Sequence, residues 1–364
     1  MPQLSASCAV EVILGNSNPR FSGVTSTLLQ TLDYQQDQLH LRVLGAHFLP
    51  NPELAISFIE AIKLCSTPLP DGRWRVFHAR RNNEMLQALV LKKIFRAKLL
   101  ILFTSTAQRH HSRFTRWLMR KMDAVISTCE AAAAYLKIPC AQIIPHGIRT
   151  HDYFPAINRA ADWQALGMPG HYGIGIFGRV RAQKGIHHLV RACIELFPSH
   201  PEFSLVIVGG IAPQDAAYVA ALKSEVASQQ LERRIQFLGE QEFARIPVLF
   251  RAMSLVCALS KQEGFGLTVL EAMASGAAVL ATRAGAWPEI IRDGVDGYCV
   301  PADDYTAIRD KLASLLAAPE HLVTMGNNGT ERVRQHYRIE REAQQLCDFY
   351  RQLQERDLQR RSAT

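Results

Sequence analysis

The sequence predicts an α/β protein of two halves, each built on a mostly parallel sheet. Short apolar runs alternate with helical patterns through almost the whole chain, as strand–helix–strand crossovers require. A polar segment, Arg149–Gly170, with Pro155, Gly167, Pro169 and Gly170, interrupts this alternation, and the pattern then restarts. At 364 residues the chain has the length of two domains rather than one. The expected units are residues 1–155 and 170–338, with 339–364 as a separate C-terminal helix.

In the first half, strands are expected at Ala9–Leu14, Leu39–Leu44, Trp74–His78, Leu99–Phe103, Ala124–Ser127 and Gln142–Ile144. Helices are expected around Gly23–Leu32, Pro52–Leu64, Glu84–Phe95, Ser112–Lys121 and Cys129–Leu136. The second half repeats the scheme with strands at Tyr172–Phe177, Ser204–Val208, Ile235–Leu238, Leu255–Leu259 and Ala278–Thr282, each followed by a helix. A short strand at Tyr298–Val300 completes it. The tail from about Ile339 to Arg361 reads as a charged amphipathic helix.

Composition excludes several classes. No apolar run reaches the roughly 18–20 residues that span a bilayer. The first residues lack the basic start and long apolar stretch of a signal peptide, so a cytosolic location is expected. Eight cysteines are scattered without a C-x-x-C pair and read as small buried hydrophobes. The net charge of +8 is uneven. Between Arg73 and Lys121 there are thirteen Lys/Arg and one acid, Glu84, so that window carries +12 and the rest of the chain about −4. Such a one-signed field favours an anionic partner; near an anionic leaflet each cation contributes on the order of 1 kcal/mol. Aromatic-rich RNA-binding motifs are absent, which disfavours nucleic acid.

The most informative stretch is Glu263-Gly-Phe-Gly-Leu-Thr-Val-Leu-Glu271. A Gly-Phe-Gly turn leads into a helix expected from Thr268 to Ser275. The backbone N–H groups of Gly266, Leu267 and Thr268 then lie at a helix N-terminus, where an anion is favoured and glycine permits close approach. Two carboxylates there would repel an anion they touched. They fit hydroxyls flanking a phosphate, which is the layout of a sugar nucleotide. Upstream, Tyr172–Phe177 ends in Gly178-Arg179-Val-Arg-Ala-Gln-Lys184-Gly185 before a helix. A strand, a basic glycine loop and a helix make a diphosphate cradle. Ser204–Val208 likewise ends in Gly209-Gly210. Cations at the cradle would stabilise charge growing on a diphosphate leaving group.

The stretch from Glu263 to Glu271, continued by Ala-Met-Ala-Ser-Gly, resembles the E-x7-E motif of retaining family-4 type glycosyltransferases, and Gly178–Gly185 resembles their G-R-x4-K-G element. The resemblance implies the GT-B fold: two Rossmann-like domains facing across a cleft, with the tail helix crossing back to the N-terminal domain. It implies that Glu263 holds donor sugar hydroxyls, Glu271 the ribose hydroxyls, and Arg179 and Lys184 the diphosphate. Gly178, Gly209, Gly266, Leu267 and Thr268 would complete the nucleotide site. Asp303-Asp304 reads as a helix N-cap pair rather than a D-x-D metal site, so no metal or other cofactor is expected.

The acceptor half is expected to use Gly23 and Thr25 of the Ser-Gly-Val-Thr loop; His78, Arg80 and Arg81 after one strand; and Arg109 after another. His111 is the candidate cleft histidine, with His110 its competitor. His146-Gly147-Ile148 resembles a family element whose usual Asp is Arg149 here. The stretches Trp74–Met85 and Gln108–His111 are similar to mannosyltransferases of the lipopolysaccharide inner core. That similarity implies a GDP-mannose donor and an anionic Kdo–lipid A acceptor, reached from the inner face of the cytoplasmic membrane by electrostatics. The alternatives are a UDP-sugar enzyme acting on another core or exopolysaccharide lipid, and a non-catalytic basic module. The second would not need Arg179, Lys184, Glu263 and Glu271 together. Oligomeric state is left open.

Overall fold

The computed structural model describes residues 10–20 and 22–363. Cys8 and the start of the first expected strand lie outside them. The chain divides into two compact units. The first is Met1–Gly147 with Ile339–Thr364, and the second is Ile148–Arg338.

Among the described residues the first unit holds six parallel strands: β1 (Val12–Gly15), β2 (Leu41–Leu44), β3 (Ala55–Ile56), β4 (Arg75–Ala79), β5 (Leu99–Ser105) and β6 (Ala124–Ser127). Their order is β3-β2-β1-β4-β5-β6. Strand side chains alternate between two apolar layers, as burial on both faces of a parallel sheet demands. Val12, Leu14, Val76, Leu100 and Leu102 pack against Leu28 and Leu32 on one face. Leu346, Phe349 and Tyr350 of the helix Ile339–Ser362 join that layer. Ile13, Phe77, Leu99, Ile101 and Phe103 face the opposite layer, with Met85, Leu89 and Leu118.

The second unit repeats the plan with β7 (Tyr172–Phe177), β8 (Phe203–Val208), β9 (Ile235–Gly239), β10 (Met253–Ala258), β11 (Ala278–Thr282) and β12 (Gly297–Val300). The order is β12-β11-β10-β7-β8-β9, again all parallel. Both sheets therefore have doubly wound topology. Strand order reverses between β1 and β4 in one and between β7 and β10 in the other. Ligands bind outside the carboxyl ends of strands at such switch points.

Three expectations differ from the structure. Gln142–Ile144 forms only a single bridge, Ser127 to Ile143, because Pro145 halts the ladder. The helix expected over Pro52–Leu64 is divided. A short turn and β3 come first, and the helix Phe58–Cys65 begins only at Ser57, whose hydroxyl accepts from Glu60 N–H in a capping box. The largest correction concerns Arg149–Gly170. It is integral to the second unit, containing the helix Arg159–Ala165 and the fully buried Trp163. Its proline and glycine content marks turns, not a linker. Among the described residues seven cysteines are free, and no helix is long and apolar enough to cross a membrane.

Candidate active site

Two glycine turns open the carboxyl edge of the second sheet. Gly178 follows β7 and Gly209 follows β8, and the amide of Gly178 donates to Val208 O. A Cβ at Gly209, whose φ is +150°, would stand 2.0 Å from Gly178 O, so the two loops close on each other only because Gly209 has no side chain. Arg179 projects from the first loop and is exposed. The next turn of that loop carries Lys184, whose Nζ lies 2.6 Å from Glu263 Oε2. Ser260 Oγ donates to the same oxygen at 3.2 Å. The cradle lysine and the first motif carboxylate, 79 positions apart in sequence, are thus direct partners.

The Gly-Phe-Gly turn is locked from behind. Gly266 has φ +84°, Trp287 Nε1 donates to its carbonyl at 2.9 Å, and a Cβ there would meet that nitrogen at 2.3 Å. Trp287 is buried, so the indole fixes the start of the helix Leu267–Ala274. The N–H groups of its first turn have no intrahelical acceptors and point outward from that start. Glu271 sits in this helix and accepts from the Tyr153 hydroxyl at 3.2 Å. Burial pushes its carboxyl up to about 7, only partly offset by that hydrogen bond. The Tyr153 phenol is in turn raised, by burial first and by the Glu271 charge second. At the other end of the helix, Arg159 Nη2 donates to Gly276 O at 2.6 Å and to Ser275 O at 3.0 Å. A guanidinium on the last carbonyls complements the helix dipole.

These parts border a pocket of about 590 Å³, lined by Gly178, Arg179, Gly209, Gly210, Thr268 and Glu271 on one side. Glu240, Gln241, Phe243, Ile246 and Phe250 line the rest. Phe250 stacks on Phe177 with centroids 3.8 Å apart and meets Tyr153 edge-on at 5.7 Å. Sequence reasoning missed Tyr153, Phe250 and the Glu240–Phe243 segment. Tyr153 fell inside the expected linker, and nothing in the sequence marks the others apart from their place after β9. No residue of the helix Tyr305–Leu316 lines this pocket. Asp304 does cap that helix, accepting from Ala307 N–H at 3.0 Å.

Most of the first unit's candidates lie at the ends of β4 and β5, with Gly23 and Thr25 in the helix Gly23–Gln36. Three need correction. His78 is fully buried, with Nδ1 2.7 Å from the Tyr350 hydroxyl and Nε2 2.6 Å from Thr104 Oγ1. Burial, aided by the Arg80 charge, holds the ring neutral. It anchors the C-terminal helix and cannot reach a ligand. Thr25 is also fully buried, its hydroxyl taken by Arg81 Nη2 at 2.7 Å. Arg81 itself is an internal strut, since its Nη1 pairs with the buried Glu84 at 3.1 Å and its Nη2 also reaches Ser22 Oγ at 3.0 Å. Arg80 differs: its Nη1 is buried with no partner among the described residues. Asn16 follows β1 and by register extension lies beside Arg80; its Oδ1 is likewise unpartnered. Thus a buried donor and a buried acceptor go unpaired at the switch point. Gly23 is exposed at its helix start, and Arg109 is exposed. His111 lies 3.2 Å from Ser105 Oγ at the end of β5, and burial with the Arg109 and Arg116 charges lowers its pKa. His110 instead packs edge-on against Tyr135.

Among the described residues one group could present three metal-ligating atoms together: His187, His188 and Asp303, within 4.8 Å. They lie outside the pocket, and Asp303 already has Lys261 Nζ at 2.7 Å.

Residues 169–332 match the family described as glycosyl transferases group 1. The lipopolysaccharide core biosynthesis mannosyltransferase LpcC of Rhizobium leguminosarum bv. viciae is 40% identical over 345 residues, 94% of this chain and 97% of its own. The corresponding LpsB of Rhizobium meliloti is 40% identical over 349 residues, 94% and 98% of the two chains. The crystal structure of the C-terminal domain of LpcC from Francisella tularensis is 39% identical, with a TM-score of 0.51 over 53% of this chain and 99% of that one. Sucrose-phosphate synthase from Thermosynechococcus elongatus, at 22% identity, superposes with a TM-score of 0.75 over 94% of this chain and 99% of its own. That likeness shows the GT-B fold. With its Glu263–Glu271 motif and basic glycine cradle on one sheet edge, and with relatives matched over nearly their full length, the chain belongs to the group 1 glycosyltransferases.

Proposed function

We propose that the protein transfers mannose from GDP-mannose, with retention, onto the Kdo–lipid A inner core of lipopolysaccharide at the cytoplasmic face of the inner membrane. The observation that carries this reading is the full-length 40% identity to two lipopolysaccharide core mannosyltransferases, which extends through the acceptor-side unit as well as the donor motif. Arg179 and Lys184 neutralise the diphosphate as the glycosidic bond breaks, with the amides of Gly266, Leu267 and Thr268 completing the anion site. Gly178 and Gly209 let backbone meet the phosphates. Glu263, oriented by Lys184 and Ser260, accepts from sugar hydroxyls, and Glu271 from the ribose. The transfer follows a front-face course in which the leaving phosphate takes the acceptor proton, so it needs no side-chain nucleophile. No step requires a metal.

On the acceptor side, Arg80 and Arg109 receive acidic groups of the glycolipid. His111 and Gly23 border it. Arg81, Thr25 and His78 act through their neighbours. The test is a donor panel with purified protein and Kdo-bearing lipid A, scored by product mass. A hexose added only from GDP-mannose is expected. Transfer from a UDP-sugar would discard the mannose assignment and keep the site.

A further inference from the structure

We propose that the outer faces of two neighbouring helices in the first unit, Asn82–Lys93 and Arg113–Met119, form a membrane-docking surface that inserts Phe114 and Trp117 into an anionic leaflet. The helix Arg113–Met119 buries Thr115, Leu118 and Met119. On its open side Phe114 and Trp117 remain 53% and 50% exposed, stacked with centroids 6.2 Å apart and an interplanar angle of 18°. Two large aromatic rings held together in water are costly unless something covers them. Around them stand Arg113, Arg116, Arg120 and Lys121, with no acid on the helix and no ion pair for these four among the described residues.

The neighbouring helix continues the surface. Asn82 Nδ2 donates to Thr115 Oγ1 at 2.9 Å and ties the two side by side. Beyond its buried Met85, Ala88 and Leu91, the helix and the turn after it expose Leu86, Ile94 and Phe95, together with Lys93 and Arg96. Apolar rings flanked by unpaired cations match a bilayer interface: phosphates meet the cations while the rings enter the boundary with the acyl chains. A soluble anionic ligand would use the cations and leave the rings uncovered. Charge alone would give binding that salt abolishes, whereas inserted rings give a component that salt leaves. This deepens the reading above by placing the enzyme on the leaflet that carries its acceptor. Its test needs neither donor nor acceptor.

The experiment is sedimentation of full-length protein with phosphatidylethanolamine vesicles containing phosphatidylglycerol, against phosphatidylcholine vesicles, at low and high salt. Trp117 fluorescence is followed with brominated lipids. Expected are binding to the anionic vesicles, a blue shift and bromine quenching that vanish in Trp117→Phe, and a salt-resistant fraction. Phe114→Ala with Trp117→Ala is expected to weaken binding by about tenfold and remove that fraction. Melting temperature and nucleotide affinity serve as the folding check. Should that variant fail to fold, Arg113→Glu with Lys121→Glu replaces it, with binding weaker by about thirtyfold or more expected. No binding to anionic vesicles, or binding that both variants leave intact, overturns the proposal. A concentration-dependent dimer that the aromatic double variant dissolves would also overturn it, by assigning the surface to a second copy.

Discussion

Glu263 and Glu271 share a side chain and a helix start, yet their surroundings make them chemically different. Glu263 is held by a lysine and a serine. Glu271 accepts from a phenol and is raised to about 7 by burial. The sign of the consequence follows from proton binding. In the unfolded chain Glu271 ionises at its ordinary value of about 4.5, so between there and 7 the folded chain holds a proton that the unfolded chain has lost. Stability from this group therefore falls as pH rises through that window. Glu271→Gln is expected to melt higher than the parent at pH 8, with the gap closing towards pH 4, as read by calorimetry. Nucleotide affinity, measured by titration calorimetry, should fall in the same variant, and in the parent should weaken as pH drops below about 7. Lys184→Ala should lower kcat by about 100-fold or more while nucleotide binding falls less, if its charge acts mainly on the leaving diphosphate. Equal losses in both would make it a binding residue only.

At the scale of elements, the helix Leu267–Ala274 is too short to stand alone and is clamped at both ends. Trp287 fixes its first turn, Arg159 takes its last carbonyls, and Thr330 Oγ1 donates to Met273 O at 2.9 Å. Arg159→Ala leaves buried carbonyls without donors, at a cost of about 1–3 kcal/mol. The expected result is a lower melting temperature for the second unit and weaker nucleotide binding, although Arg159 touches no ligand. Unchanged nucleotide affinity in a folded Arg159→Ala protein would show that the helix needs no clamp to present Glu271.

At the scale of the molecule, the chain crosses from the first unit to the second and returns with its last helix. Tyr350 and Phe349 complete the first unit's core, Tyr350 binding His78 and Gln35, while Glu342 accepts from the Gly147 amide and bonds His146. Truncation after Arg338 removes these groups at once. Limited proteolysis is expected to show a degraded first unit and a resistant fragment beginning near Ile148 that still binds nucleotide. An intact first unit after truncation would mean that its sheet holds without the helix.

The sequence by itself determined the two-sheet architecture and the donor motif. Strand-length apolar runs and glycine turns are local signals, and Glu263 to Glu271 lies within one loop and one helix. Only the tertiary structure decided which candidates are free to act. His78 and Arg81, beside Arg80 in sequence, and Thr25 of the glycine loop all read as acceptor-binding residues. A parallel strand end, however, turns alternate side chains into the core, and distant residues such as Tyr350 claim them. Tyr153 and Arg159 lay in a segment whose prolines and glycines signalled a break. They support the site because the chain folds that segment back against a helix more than a hundred positions away. Pairings of that kind depend on the packing of sheets and helices, and no local pattern encodes them.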